Sequence, residues 1–180
     1  IGIYPGLGGS QRPARICGIP AARWAVLAGN FMDAKTANDL GLITHLVDVA
    51  AIDEAVRQIS NQGKPANKYP GQAANPQSSV AQFANNFFAD ANMSDIMNGV
   101  CPQGFDAEDK QVARQMKSLK FTAPIALVKA SELIDATDST DLSAGLALEL
   151  AGLNGIFSTA DSLEGLSALI EGRRPTYTNQ

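Results

Sequence analysis

The sequence predicts a mostly α protein with one short strand. Three observations carry this. Apolar residues recur at helical spacing through most of the second half. Helix-starting and helix-stopping residues punctuate the chain at short intervals. A compact apolar and partly β-branched run, Leu42-Ile43-Thr44-His45-Leu46-Val47, fits a strand.

The elements follow in order. Residues 1–12 form a Gly-rich connection, and its start, Ile1-Gly2-Ile3-Tyr4-Pro5, has no initiator Met and reads like the middle of a strand and turn. Three glycines in four positions (Gly6, Gly8, Gly9) permit positive φ and close backbone approach. Ser10 can cap a short helix through Ile16, stopped by Gly18. Pro20 suits the first turn of a second helix, to about Ala28, ended by Gly29. Asp33 is a good N-cap for Ala34–Leu40, with Gly41 just past its end. After the strand at 42–47, a helix runs from Asp48 to Ser60.

Residues 61–78 are rich in Gly, Pro, Asn and Gln and read as a loop or linker. The organisation is thus 1–60, a linker at 61–78, and a helical domain at 79–180. In that last part, 80–89 and 93–98 are short amphipathic helices. Residues 107–120 present Val112, Met116 and Leu119, and Pro124 opens a helix to about Ala136 with Ile125, Val128 and Leu133. In Leu142–Phe157 the leucines at 142, 146, 150 and 153 predict a buried face. Asp161-Ser162-Leu163-Glu164 resembles a capping box and leads into 165–171. Gly172-Arg173-Arg174-Pro175 then places cations at the helix's negative pole.

Composition bounds the function. The chain has 180 residues, 45% hydrophobic and 18% charged, ordinary for a folded protein. A formal net charge of -4 argues against a nucleic-acid partner, although a local Arg cluster can still oppose the global sign. Cys17 and Cys101 form no paired motif, and with His45 the one histidine, no metal site is expected. Two reduced thiols in a cytoplasmic protein is the plain reading. No apolar run approaches the roughly 20 residues that span a bilayer, and no signal-peptide pattern occurs.

Two stretches carry a family resemblance. The first is Pro5-Gly6-Leu7-Gly8-Gly9-Ser10-Gln11-Arg12, followed by 25–29 (AVLAG) and 34–42 (AKTANDLGL). The second is 157–161 (FSTAD) with 164–168 (EGLSA) and 171–175 (EGRRP). Together, in order and approximate spacing, they resemble the enoyl-CoA hydratase/isomerase (crotonase) superfamily over residues 1–50 and 120–177. The middle, about 61–118, is more similar to the hydratase module fused to 3-hydroxyacyl-CoA dehydrogenases, or to 3-hydroxyisobutyryl-CoA hydrolases. The fold class this implies is the C-terminal helical part of a ClpP/crotonase-like α/β fold with a short residual strand. In the complete family that layer docks on a spiral β/α core and supports trimers.

The resemblance implies an acyl-CoA-processing enzyme, a lyase of fatty acid metabolism. An oxyanion hole of two backbone N–H groups polarises the thioester, and two glutamates move protons as water adds to a 2-enoyl-CoA. Those glutamates are expected upstream of Ile1, so no catalytic residue is assigned in this chain. The substrate is a coenzyme A thioester, with no tightly bound cofactor, and NAD enters only if a dehydrogenase domain lies upstream. Isomerase or hydrolase chemistry, or a non-catalytic helical oligomerisation module, are the alternatives.

Of the residues present, Pro5, Gly6, Gly8 and Gly9 are the candidate substrate-binding loop. The plain alternative is a helix-entry turn whose glycines serve backbone shape alone. Gln11 and Arg12 read as caps or ion-pair members. Arg173 and Arg174 are candidates for the CoA phosphates, although Gly172 stands where the family commonly has Lys. Their plain alternative is charge complementing a helix end. His45 reads as a core or interface histidine, Trp24 and Phe87-Phe88 as packing, and Glu108, Asp109 and Lys110 as a solvated surface.

Overall fold

The structure is a computed structural model and describes residues 1–63 and 71–180. The expected linker at 61–78 falls partly, at 64–70, outside the described residues. Among the described residues there are ten α-helices and no strand: α1 (Arg12–Cys17), α2 (Ile19–Val26), α3 (Ala34–Leu40), α4 (Ile52–Gln62), α5 (Ser79–Phe87), α6 (Met93–Met97), α7 (Lys110–Lys120), α8 (Pro124–Asp135), α9 (Leu142–Phe157) and α10 (Ala160–Glu171).

Most helix ends obey local chemistry. Asp33 accepts the Thr36 N–H and starts α3, and Gly41 closes it at φ 81°. Asp109 accepts the N–H groups of Gln111 and Val112, so α7 begins three residues after the predicted 107. Asp141 caps α9 through Ala144. Thr159, rather than Asp161, caps α10 by accepting the Ser162 N–H.

Three expectations are corrected. Residues 42–47 form no strand, because a strand requires a neighbouring ladder and none lies beside them among the described residues; Leu46 and Val47 are exposed. His45 is also exposed, with Nδ1 3.0 Å from the Thr44 hydroxyl, and is not a core residue. The buried face of α9 is not the leucine face. Gly145, Glu149 and Ile156 are buried, whereas Leu142 and Leu150 are exposed.

The core gathers where α2 meets α1, α5 and α8, and α8 meets α9. Leu27, Leu40, Phe87, Phe88, Ile96 and Ile134 are fully buried, each stabilising by about 1.5–3 kcal/mol. Phe87 is the aromatic centre, 5.1 Å from Phe83 and 5.0 Å from both Phe88 and Phe105 between ring centroids. Trp24 is also buried packing. Arg23 of α2 is 4% exposed. Its guanidinium donates to Asp135 (2.7 Å), Asp90 (2.6 Å) and the Phe88 carbonyl (3.0 Å), tying α2 to α8 and to the end of α5.

Candidate functional site

The Gly-rich loop is held from below by one carboxylate. Glu149 projects from α9 and is 3% exposed. Its Oε1 accepts the Gly8 N–H at 2.6 Å, and its Oε2 accepts the Ser10 hydroxyl at 2.6 Å and the Ser10 N–H at 3.3 Å. Tyr4 donates its hydroxyl to the Glu149 carbonyl at 2.7 Å. Burial, and then the nearby carboxylate, push the Tyr4 phenol above its ordinary value. Gln11 donates to the Leu133 carbonyl at 2.6 Å, and Arg15 to the Thr140 carbonyl at 2.7 Å. Five side chains thus fasten the loop and α1 to the α8–α9 hairpin.

This clamp divides the loop. Gly8, at φ +85°, is buried and gives its N–H to Glu149. Gly9 donates to the Gly6 carbonyl at 2.9 Å, and the Gly8 carbonyl accepts from Arg12 at 2.8 Å. Arg12 also holds the Leu7 carbonyl through its guanidinium. On the outer side stand Pro5, half-buried Gly6 and Leu7, which is 97% exposed at φ +56°. A left-handed leucine is uncommon and is kept there by the bonds on either side of it. From Pro5 to Arg12, the N–H groups left without a protein partner are those of Gly6 and Leu7.

The predicted loop residues are therefore together but not equivalent. Pro5 and Gly6 form the outer edge, whereas Gly8 and Gly9 build the turn. Ser10 binds Glu149 instead of capping α1, and Gln11 and Arg12, read in the sequence as caps or ion-pair members, instead donate to the carbonyls of Leu133 and Leu7. Sequence reasoning missed Glu149, whose signal was a single acid inside an otherwise uncharged helix.

The two arginines separate. Arg173 is committed to Glu164, with bonds of 2.6 and 2.7 Å, and to Glu171. Glu164 also accepts the Thr176 N–H at 2.7 Å. The Arg173 guanidinium, then the Thr176 N–H, hold the Glu164 carboxyl down at about 2, and these acids raise Arg173 above its ordinary value. Arg174 instead stands 5.6 Å above the Phe121 ring, in a pocket shared with Arg114 and Lys117. Neither arginine hydrogen-bonds to the Gly-rich loop.

A family model described as enoyl-CoA hydratase/isomerase matches residues 1–180. The chain belongs to the enoyl-CoA hydratase/isomerase family. Among curated relatives it is similar to an enoyl-CoA isomerase/hydratase, fer4, of Mycosarcoma maydis. The two are 23% identical over 180 residues, all of this chain and 45% of that protein. Among solved structures it is similar to an enoyl-CoA hydratase from Bacillus anthracis, at 24% identity over 99% of this chain and 47% of the other, with a TM-score of 0.36. The chain spans less than half the length of these two family members. No helix among the described residues is long and apolar enough to cross a membrane.

Proposed function

We propose that this chain is the C-terminal part of an acyl-CoA-processing enzyme, with enoyl-CoA hydration as the reaction. Its outer loop edge, Pro5-Gly6-Leu7, flanks the reacting carbons, and the two proton-transferring glutamates come from residues preceding Ile1. The observation that carries this reading is the state of the one carboxylate at the loop. Glu149 is buried and accepts three hydrogen bonds from Gly8 and Ser10, so it shapes the loop and is not presented to a substrate. The loop's unpartnered donors belong instead to half-buried Gly6 and exposed Leu7. A general base must reach its proton directly or through one water, and no residue on this edge offers that.

Arg174 is the arginine available to a CoA phosphate, because Arg173 is spent on Glu164 and Glu171. The parent is a homo-oligomer, a trimer by family likeness, and the exposed apolar side chains of α9 and α10 support association. Isomerase or hydrolase chemistry uses the same loop with different acids. A non-catalytic oligomerisation module is the second reading, favoured by the same exposed apolar face. Fusion to a dehydrogenase is the further possibility carried by the middle of the sequence.

The test is hydration of crotonyl-CoA by this 180-residue chain and by a longer protein that includes the preceding residues, each verified by intact mass. We expect turnover only from the longer protein. Turnover by the 180-residue chain alone overturns the placement of the acids. No turnover by either favours the module.

A further inference from the structure

The first residues of the chain rest on α10 with backbone against backbone. Gly165 is buried in the middle of that helix, and a Cβ there would stand 2.4 Å from the Ile1 carbonyl carbon and 2.7 Å from the Ile1 Cα. Gly2 is buried at φ +70°, and a Cβ on it would stand 2.4 Å from the Asp161 carbonyl oxygen. A glycine weakens a helix interior relative to alanine, so α10 gains nothing of its own from Gly165. What the missing methyl allows is the approach of Ile1.

This seat is closed from a second side. The buried Asp161 carboxylate accepts the N–H groups of Thr178 and Asn179, and the Asp161 N–H donates to the Gln180 carbonyl at 3.1 Å. The tail is thereby brought alongside the start of the chain. Burial pushes the phenol of Tyr177 in that tail up, and the Gly2 backbone beside it pulls partly back. Two residues beyond Gly2, Tyr4 is fixed to α9 through the Glu149 carbonyl. Residues 1–4 are thus held at α10 and at α9, directly before the outer edge of the loop.

We propose that Gly165 is a positioning residue for the hydration reaction: the seat it forms with Gly2 and Asp161 aims the segment entering at Ile1, and with it the acid that segment carries. This rests on the reading that the proton-transferring acids precede Ile1. Each residue before Ile1 reaches at most about 3.6 Å further along the chain. The heading of Ile1 therefore decides where the nearest few side chains arrive relative to Pro5-Gly6-Leu7. Proton transfer needs its base within hydrogen-bond reach of the target. A methyl on Gly165 forces Ile1 back by about 1 Å to reach ordinary van der Waals contact, and a misplacement of about 1 Å can cost about a hundredfold in rate. No seat residue belongs to the outer loop edge or to the surface at Arg174, so substrate binding is spared.

Steady-state hydration of crotonyl-CoA by the longer protein that includes the preceding residues tests this, with rates taken per folded molecule. Gly165→Ala is expected to lower kcat about thirtyfold to a hundredfold, with KM within about twofold. Gly155→Ala makes the same change on an α9 glycine with no atom within 4 Å of the new Cβ, and should leave both constants unchanged. Tyr177→Ala opens the seat from the tail side without a clash in α10. It should lower kcat about tenfold with KM again unchanged, and it decides the matter if Gly165→Ala does not fold. A longer protein with no turnover overturns the hydration reading and the positioning role with it. An active longer protein whose kcat is indifferent to both seat variants overturns the positioning role alone, as does a fall in kcat accompanied by an equal rise in KM or matched by Gly155→Ala.

Discussion

Glu149 is the residue on which the loop depends. Replacing it by Ala leaves the Gly8 N–H and both Ser10 donors buried without an acceptor. The expected cost is about 3 kcal/mol, read from the urea midpoint. Glu149→Gln keeps the shape but turns an NH₂ toward N–H donors, so it should recover only part of that loss. A variant as stable as the parent would show that the carboxylate does not hold the loop. Cys17 gives a second check. Burial pushes its thiol up to about 12, so iodoacetamide at pH 8 should modify it only after unfolding. Rapid alkylation of Cys17 in the folded protein would contradict its packing in α1.

At the scale of elements, the C-terminal tail is pinned to α10 by two acids. Glu164 takes Arg173 and the Thr176 N–H, and buried Asp161 takes the N–H groups of Thr178 and Asn179 at 2.7 and 3.0 Å. Because the folded Glu164 carboxyl is held near 2 against an ordinary 4.5, its stabilising effect is fully present above 4.5. That effect is lost as the pH falls toward 2. The Thr176 amide should therefore gain hydrogen-exchange rate, beyond the intrinsic pH effect, between pH 4.5 and 2. In Glu164→Gln the Thr176 amide should already exchange faster at neutral pH. Unchanged protection in that variant would remove Glu164 from the clamp.

Element boundaries were largely legible because caps are local. Asp33, Gly41 and Pro124 announce themselves in sequence, and α9 runs over the predicted residues. Faces and partners were less legible because they depend on distant residues. The leucine spacing of α9 indicated one face, yet Gly145, Glu149 and Gly152 turn another inward. There the Tyr4 hydroxyl comes within 2.6 Å of where a Cβ on Gly152 would stand. The glycines of the loop were visible in the sequence, but its division into anchored and outward edges was not. That division is set by a residue 141 positions away from Gly8. Residues 42–47 have strand-like composition, but a strand is a property of pairs, and this one has no partner among the described residues.

For the whole molecule, the exposed apolar surface is the feature with a consequence. Leu150, Leu163, Leu169 and Ile170 on α9 and α10 are each two-thirds or more exposed, and Phe157 is half exposed. Surfaces of this kind mark association. The apparent mass in sedimentation is therefore expected to rise with concentration, and Leu150→Lys with Leu169→Lys to suppress that rise while leaving the helical content intact. A concentration-independent monomer would count against an assembly face there.

Residue-resolved amide exchange of the loop tests the central claim most directly. If Glu149 anchors an inner edge and leaves an outer edge open, the Gly8 and Ser10 amides exchange slowly, and those of Gly6 and Leu7 exchange near the unprotected rate. In Glu149→Gln the first pair should lose protection and the second should not change. Equal protection of all four amides, or a pattern indifferent to Glu149, would contradict the account of how this loop is built and presented.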